Sequence, residues 1–314
     1  MLGIAGADIT ELVDMEIIDA HAHIYERLSG FGPRGEARAI GGGMIEWATG
    51  EKERFLRAEH GDYGFSYDML LSLMQKAEVG HAVLLQCSNY GFQNSYTAEA
   101  VEKNPDKFTG AGTFDPYAKN ADLIFDNLTG ALGFGILKFE LSEGYGLVGY
   151  HPDLTADSKI FEPYLKACED MNITIVFDTG FLGTKSCRTD CIINVAKRHK
   201  NLNILVAHSL FPCEDGENEH RLELIKEMKR ENIFFDVAGI LPPGCPQERF
   251  NYIKKVMDIV GSEHIAWGSD CPGALIRHGY RELIDHICEN GGFSGCELEN
   301  LMSNTARYIY KIET

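Results

Sequence analysis

With 314 residues, of which 44% are hydrophobic and 24% charged, the chain is long enough for two modest domains or one large α/β barrel. Its 47 acidic and 29 basic residues give a net charge of −18, which would repel nucleic acid and anionic membrane surfaces. We therefore expect a small-molecule partner, and neither nucleic acid nor a membrane.

Three features of the sequence predict a cytoplasmic protein. The stretch "MLGIAGADITELVDMEIID" lacks the basic start and long apolar run of a signal peptide. No segment approaches the roughly 18 consecutive apolar residues that cross a bilayer. The nine cysteines are scattered without a C-x-x-C pair, which favours reduced thiols over a disulfide framework.

Short apolar runs typical of β-strands alternate with amphipathic helical patterns along the chain. The strand-like runs begin at Glu16, His81, Phe108, Gly135, Ile173, Leu202, Ile233 and His264. Helical patterns begin at Tyr67, Ser158, Glu219 and Glu248. Eight such units in order predict an α/β protein with a (β/α)8 TIM-like barrel, as a single domain over residues 1–314. An open doubly wound sheet is the alternative, but no G-x-G-x-x-G follows the first strand to favour it.

Two segments depart from this regular pattern. Residues 26–66 form a long, glycine-rich first connection, which we interpret as a lid-like insertion loop at the end of the barrel where active sites lie. A surface insertion without a role is the alternative. Residues 296–312, near the end of the chain, read as a closing helix.

The first strand ends in two histidines, His21 and His23, within "EIIDAHAHIY". Alternate side chains of a strand share a face, so both imidazoles are expected to point the same way. Two such imidazoles resemble half of a metal site, whereas the alternative is a polar strand end that meets solvent.

Polar residues also follow the apolar runs of the later strands, where burial without a partner is costly. They are Lys138, Glu140, Asp178, His208, Asp236 and Asp270. Three histidines and an aspartate at one barrel mouth would form a nitrogen and oxygen ligand set suited to zinc, with manganese or iron as alternatives. For Asp236 we predict only a structural role.

Each candidate also has a structural interpretation. His208 could be a core histidine bonded to backbone, and Asp270 could cap the helix that follows it. Lys138 could simply pair with Glu140, two residues along the same strand face. Asp19 could orient an imidazole of the histidine pair, or form a strand-end hydrogen bond.

The stretches "IIDAHAHI", "FEPYLKACEDMNITIVFDTG", "LNILVAHS", "IFFDVAG", "HIAWGSDCP" and "NTARYIY" resemble the amidohydrolase superfamily in order and spacing from Ile17 to Tyr310. The branch they resemble is the amidohydrolase-2 group, which includes aminocarboxymuconate-semialdehyde decarboxylase. This resemblance implies a distorted (β/α)8 barrel with one divalent metal ion at its mouth, and a homodimer is compatible with it. Zn²⁺ is the preferred metal and Mn²⁺ the alternative.

Residue by residue, the resemblance assigns His21, His23 and Asp270 as metal ligands and His208 as a metal neighbour or acid/base group. Family members usually end strand five with H-T-G, whereas this chain has "FDTG" with Asp178. We expect Asp178 to replace that histidine as a ligand, or to mark a branch that binds metal weakly or not at all. Lys138 is similar to the carboxylated lysine of binuclear members, but without the histidine a mononuclear site is favoured.

The resulting hypothesis is a metal-dependent hydrolase that acts on a small carboxylate-bearing substrate through a metal-activated water. Asp270 would transfer the proton, His208 would stabilise the oxyanion or protonate the leaving group, and Lys138 would pair with the substrate carboxylate. Arg34 and Arg38 in the insertion could assist in binding that carboxylate. The alternatives are a non-oxidative decarboxylase with the same ligands, a metal-free lactonase, and a barrel that only binds.

Overall fold

The computed structural model describes residues 15–313, so the predicted absence of a signal peptide concerns residues that lie largely outside it. The strands are β1 (Ile17–Ala22), β2 (Ser29–Gly32), β3 (Gly35–Gly41), β4 (Met44–Trp47), β5 (Lys52–Arg54), β6 (Val79–Leu84), β7 (Phe108–Gly110), β8 (Ile136–Glu140), β9 (Thr174–Asp178), β10 (Ile204–Val206), β11 (Ile233–Asp236) and β12 (Ile265–Ala266). The helices are α1 (Tyr67–Ala77), α2 (Asn94–Lys103), α3 (Ala121–Asp126), α4 (Glu162–Asp170), α5 (Thr189–Arg198), α6 (Asn218–Met228), α7 (Gln247–Val260), α8 (Tyr280–Asn290), α9 (Gly295–Glu299) and α10 (Thr305–Tyr310).

Strand β1 and the seven strands β6 to β12 are parallel and form the predicted barrel. They pair in the orders β1-β6-β7 and β12-β11-β10-β9-β8. Backbone hydrogen bonds span both remaining gaps. Between β7 and β8, the Lys138 amide donates to the Gly112 carbonyl at 2.9 Å. Between β12 and β1, the Ala20 amide donates to the Trp267 carbonyl, and the Asp270 amide donates to the His21 carbonyl, both at 2.9 Å. The eight strands therefore close on themselves.

The core has an inner and an outer part, as expected when parallel strands are covered on both faces. Inside the barrel, small and branched side chains from alternate positions pack together, among them Ile18, Ala20, Val83, Ile136, Val176 and Leu205. The outer part lies between strands and helices and contains the larger aromatic groups, such as Phe139, Phe161 and Phe177. This alternation decides which strand residues can reach the barrel axis.

Residues 26–66 are not an irregular loop, because most of them form an antiparallel sheet in the order β2-β3-β4-β5. Alternate side chains of this sheet, Ala37, Ala39, Ile45 and Trp47, are buried. Its turns use glycine where the backbone is left-handed, as at Gly42 with φ +61°. The glycine content that predicted a loop instead serves the turns of a small antiparallel sheet.

The C-terminal helical run begins at Gly295 and ends at Tyr310, with one wider π-helical turn over Asn300–Asn304 between α9 and α10. Ile309 and Tyr310 pack with the inner barrel residues, and the Thr174 hydroxyl donates to the Ile309 carbonyl at 2.6 Å. The run therefore closes the amino-terminal end of the barrel, opposite the polar strand ends. Within residues 15–313, no helix is long and apolar enough to cross a membrane.

Candidate active site

The two histidines reach the barrel interior because β1 contains an irregularity in register. Asp19 lies opposite Ala82 and Ala22 opposite Leu84, so three steps on β1 match two steps on β6. Ile18 and Ala20 belong to the inner core, and strict alternation from them would turn His21 outward. The extra residue reverses this direction, as a β-bulge does. The bulge therefore places His21 and His23 at the mouth.

Each imidazole has its Nδ1 atom bound to an acceptor, which fixes its tautomer. His21 Nδ1 donates to the Asp236 carboxylate at 2.9 Å, and both side chains are fully buried. His23 Nδ1 donates to the Leu85 carbonyl at 3.0 Å. The proton on Nδ1 leaves the lone pair on Nε2, which is the arrangement of histidines that ligate metals.

Asp270 completes a group of three ligands. Its carboxylate lies 3.3 Å from His23 Nε2, and one ligand atom each from His21, His23 and Asp270 lies within 4.8 Å of the others. The Asp270 backbone is left-handed, with φ +57°. Gly239 leaves room for this carboxylate, because a Cβ there would come within 2.9 Å of Asp270 Oδ2. These side chains form a nitrogen and oxygen set of the kind that holds a divalent metal.

His208 begins a segment of four residues, His208 to Phe211, that all have positive φ angles between 44° and 63°. None is glycine, so the backbone is strained, a condition that persists where surrounding contacts fix it. Tyr252 donates its hydroxyl to the Ser209 carbonyl at 2.9 Å, and the Arg221 guanidinium donates to the Leu210 carbonyl at 3.1 Å. The segment aims the His208 ring into the mouth.

The predicted ligand Asp178 lies against His208. Its Oδ2 atom is 3.0 Å from His208 Nε2, and His208 Nδ1 donates to the Ala238 carbonyl at 2.8 Å. Asp178 is not part of the three-ligand group of His21, His23 and Asp270. The structure thus brings Asp178 and His208 together as an ion pair, and the assignment of Asp178 as a ligand stays a prediction.

The charges of the site follow from burial and from these pairings. Burial lowers the pKa of His23 to about 4, although the nearby Asp270 carboxylate opposes this shift, so this imidazole is neutral. Burial also disfavours the charged forms of Asp270 and His208, but the groups next to each of them stabilise the charged form more strongly. The adjacent imidazole of His23 and the nearby His208 hold the pKa of Asp270 well below its usual range. The Asp178 carboxylate raises the pKa of His208 to about 10.

Lys138 is a buried cation with acidic neighbours. Its Nζ atom lies 3.5 Å from Glu140 Oε2, 4.0 Å from Asp178 Oδ2 and 3.4 Å from His21 Nε2. Burial disfavours the charged form, but the carboxylates of Glu140 and Asp178 raise the pKa of Lys138. The pairing with Glu140 is therefore present, and the predicted contact of Lys138 with a substrate carboxylate stays a prediction.

Asp236 has a larger part in the site than the sequence indicated. One of its oxygens accepts from His21 Nδ1, and the other accepts from the His208 amide at 2.7 Å and the Ala238 amide at 3.1 Å. One carboxylate therefore orients two of the three histidines at the mouth. The sequence did contain a signal for this role, because Asp236 follows the apolar run "IFF" at the end of a strand, as the other site residues follow theirs.

Asp19 does not contact an imidazole. It accepts from the backbone amide of His21 at 3.1 Å, and from the amide and hydroxyl of Ser269 at 2.8 and 2.6 Å. Asp19 thus joins the end of β1 to the segment that carries Asp270. Of its two predicted roles, the strand-end hydrogen bond is the one present.

A cavity of about 310 Å³ opens above these residues. Its charged wall is formed by Lys138, Asp178, His208 and Asp270, with the neutral imidazole of His23 beside them. The remaining wall is largely aromatic and apolar and includes Phe55, Tyr90, Tyr145, Phe181, Phe211 and Ile276. Phe211 stacks on the His208 ring with centroids 4.3 Å apart. The volume suits a small organic molecule placed with one end against the charged wall.

The insertion contributes Glu53, Arg54 and Phe55 to this cavity. Arg34 instead pairs with Glu51 and Glu53, and Arg38 pairs with Glu46. Neither Arg34 nor Arg38 lines the cavity. The insertion therefore contacts the cavity through residues that the sequence did not indicate.

Comparison with known proteins gives one family. The amidohydrolase-2 family model, described as "Amidohydrolase", matches residues 18–312. No functionally curated protein matches the chain.

Among solved structures, a probable 2-pyrone-4,6-dicarboxylic acid hydrolase from Acinetobacter baumannii with bound citric acid is 16% identical, with TM-score 0.67 over 95% of this chain and 100% of that one. An amidohydrolase from Burkholderia multivorans with bound zinc is 15% identical, with TM-score 0.68 over the same shares. A 5-carboxyvanillate decarboxylase from Novosphingobium aromaticivorans with bound manganese is 13% identical, with TM-score 0.57 over 77% of this chain and 80% of that one. These similarities confirm the predicted barrel fold.

Proposed function

Because the chain belongs to the amidohydrolase family, which contains hydrolases and carboxy-lyases, we propose that it is a metal-dependent hydrolase of a small carboxylate-bearing substrate. The observation that carries this proposal is the grouping of His21, His23 and Asp270 within 4.8 Å of one another, next to a cavity that His23 and Asp270 line. Both histidines have Nδ1 bound elsewhere, so their donor atoms suit a divalent ion. Zinc is the preferred metal, since imidazole and carboxylate suit it, and manganese is the alternative.

A divalent metal bound by these three residues would polarise a substrate carbonyl and make water a better nucleophile at neutral pH. Asp270 is ionised and lines the cavity, so it can accept a proton from the attacking water. His208, held as a cation by Asp178, places positive charge where an oxyanion would develop. The aromatic wall excludes water from the body of the substrate and so strengthens these interactions.

The carboxylate on the substrate is proposed from the cationic side chains that line the cavity, which include Lys138 and Arg54. The neighbouring structures named above include both a pyrone dicarboxylic acid hydrolase and a carboxyvanillate decarboxylase. A lyase would use the same ligands, so the released product distinguishes the two reactions.

The test begins with metal content by plasma mass spectrometry, on protein purified without chelator or nickel. We expect about one zinc or manganese ion per chain in the native protein and in Asp178→His. Metal present only in Asp178→His, with none in the native protein, would contradict the metal-site proposal. A metal-free lactonase would then be the next hypothesis.

The loaded enzyme is then incubated with carboxylate-bearing lactones, esters and phenols, and both hydrolysis product and CO₂ are measured. Hydrolysis without CO₂ supports the proposal, whereas CO₂ release identifies the decarboxylase. Asp270→Ala should abolish either reaction. Glu219→Gln, an exposed carboxylate on α6, serves as the control and should leave it unchanged.

A further inference from the structure

Lys138 makes a contact with His21 that the proposed chemistry does not explain. It projects from β8 into the barrel, and its side chain is 1% exposed. Its ammonium lies 3.4 Å from His21 Nε2, an atom that the proposed metal would need as a ligand. The ammonium of Lys138 therefore lies beside an atom that would ligate the proposed metal ion.

The contact between these two groups has a defined direction. His21 Nδ1 donates to Asp236, so His21 Nε2 carries the lone pair. An ammonium group can only donate, so Lys138 donates to that lone pair. A metal ion takes its electrons from the same lone pair, and one nitrogen cannot serve both.

We propose that Lys138 is a built-in competitor of the metal, whose ammonium occupies His21 Nε2 and must withdraw toward Glu140 and Asp178 when a divalent cation binds. The carboxylates of Glu140 and Asp178, at 3.5 and 4.0 Å, provide the place to which it withdraws. Like charges in a buried site repel strongly, so a divalent ion is disfavoured while the ammonium remains beside its ligand. Lys138 therefore sets how tightly the site holds its metal.

The competition also accounts for the position of Asp178. Its Oδ2 atom is engaged by His208 at 3.0 Å and faces the Lys138 ammonium. As Lys138 withdraws from His21, this carboxylate gains a closer cation and becomes less available as a metal ligand. The site would then hold metal through three protein ligands, His21, His23 and Asp270.

The inference rests on the metal site of the proposed function, and the test measures affinity without turnover. Zn²⁺ is titrated into full-length, metal-free protein against a chromophoric chelator. Lys138→Met should lower the Kd for Zn²⁺ about tenfold or more, because it removes both the donor to His21 and a nearby positive charge. Lys138→Arg keeps the charge and should stay within about threefold of the native Kd.

Two further variants separate the direct contact from net charge. Glu140→Gln removes the acidic neighbour but keeps Lys138, so it should weaken Zn²⁺ binding. The double variant Lys138→Met/Glu140→Gln leaves the net charge unchanged and should still bind more tightly than the native protein. Lys255→Met removes an exposed ammonium that pairs with Glu219 on α6, and it should leave the Kd unchanged.

The outcomes distinguish the two proposals. If Lys138→Met binds Zn²⁺ no more tightly than the native protein while Asp270→Ala loses binding, the competition is wrong and the metal site stands. If neither the native protein nor Lys138→Met binds Zn²⁺, both are wrong. Should Lys138→Met not fold, crystal structures of the native protein with and without zinc replace it. An Nζ to Nε2 contact retained with zinc bound would overturn the inference.

Discussion

Replacing Asp236 with asparagine tests whether the hydrogen bond between His21 and Asp236 determines the metal affinity of the site. One Asp236 oxygen accepts from the amides of His208 and Ala238, and the other accepts from His21 Nδ1 at 2.9 Å. In Asp236→Asn the amide oxygen can keep both backbone bonds. Its NH₂ group then faces His21 Nδ1, which must become an acceptor, so the proton moves to Nε2. The histidine is held in the tautomer that cannot bind metal.

The expected loss of metal affinity is about 10- to 100-fold, the usual effect of removing the partner that orients a ligand histidine. At 1.36 kcal/mol for each factor of ten, this is about 1.4 to 2.7 kcal/mol. The free energy of unfolding should fall by only about 1–3 kcal/mol, since the two backbone bonds of Asp236 remain. Asp236→Ala removes all three accepted bonds and should cost more, about 3–5 kcal/mol.

Zn²⁺ titration gives the affinity, urea denaturation gives the free energy of unfolding, and ¹⁵N NMR of the imidazole nitrogens reports the tautomer of His21. Metal affinity within twofold of the native value, in an Asp236→Asn protein of native stability, would refute the reasoning. An unchanged Nε2 signal in that variant would refute it independently of metal.

Gly268→Ala places a methyl group 2.5 Å from the β-carbon of His21 in strand β1. This clash should lower the free energy of unfolding by about 1–3 kcal/mol. Tyr252→Phe deletes the hydrogen bond to the Ser209 carbonyl and should lower the free energy of unfolding by about 1 kcal/mol. It should also reduce kcat more than it raises KM, because the strained segment from His208 to Phe211 loosens. Burial lowers the pKa of His81, so its unfolded form takes up a proton first as the pH falls below 6.5. The stability that neutral His81 contributes is therefore present above pH 6.5 and lost below it, and His81→Gln should flatten the acid side of the stability profile.

Controls for these variants come from the same chain. Gly130→Ala meets no atom within 4 Å and should not destabilise the protein, in contrast to Gly268→Ala. Equal stability losses for the two glycine variants would contradict the packing argument. An unchanged kcat in Tyr252→Phe would show that the segment at His208 does not depend on that bond. For His81, stability measured by denaturation from pH 4.5 to 8 that follows the native curve would contradict the assigned burial effect.

The sequence by itself determined the barrel, the family and the order of polar strand ends. Apolar runs that repeat with helical patterns between them follow from burial on both faces of a parallel sheet, which is a local and periodic requirement. The match of the family model over residues 18–312 confirms the resemblance. His21, His23 and Asp270 were identified because polar groups at the ends of buried strands need partners.

Only the tertiary structure decided which groups meet. The bulge in β1 that turns His21 inward depends on pairing with β6, and no residue of "IIDAHA" announces it. Asp178 pairs with the His208 ring, and Asp236 accepts from the His208 amide, because β9, β10 and β11 lie side by side with their ends in register. The antiparallel sheet of residues 26–66 was not predicted, because its glycines indicate a turn or a loop equally well. The sequence indicates which buried polar side chains need a hydrogen-bond partner, whereas the pairing of strands decides which residue is that partner.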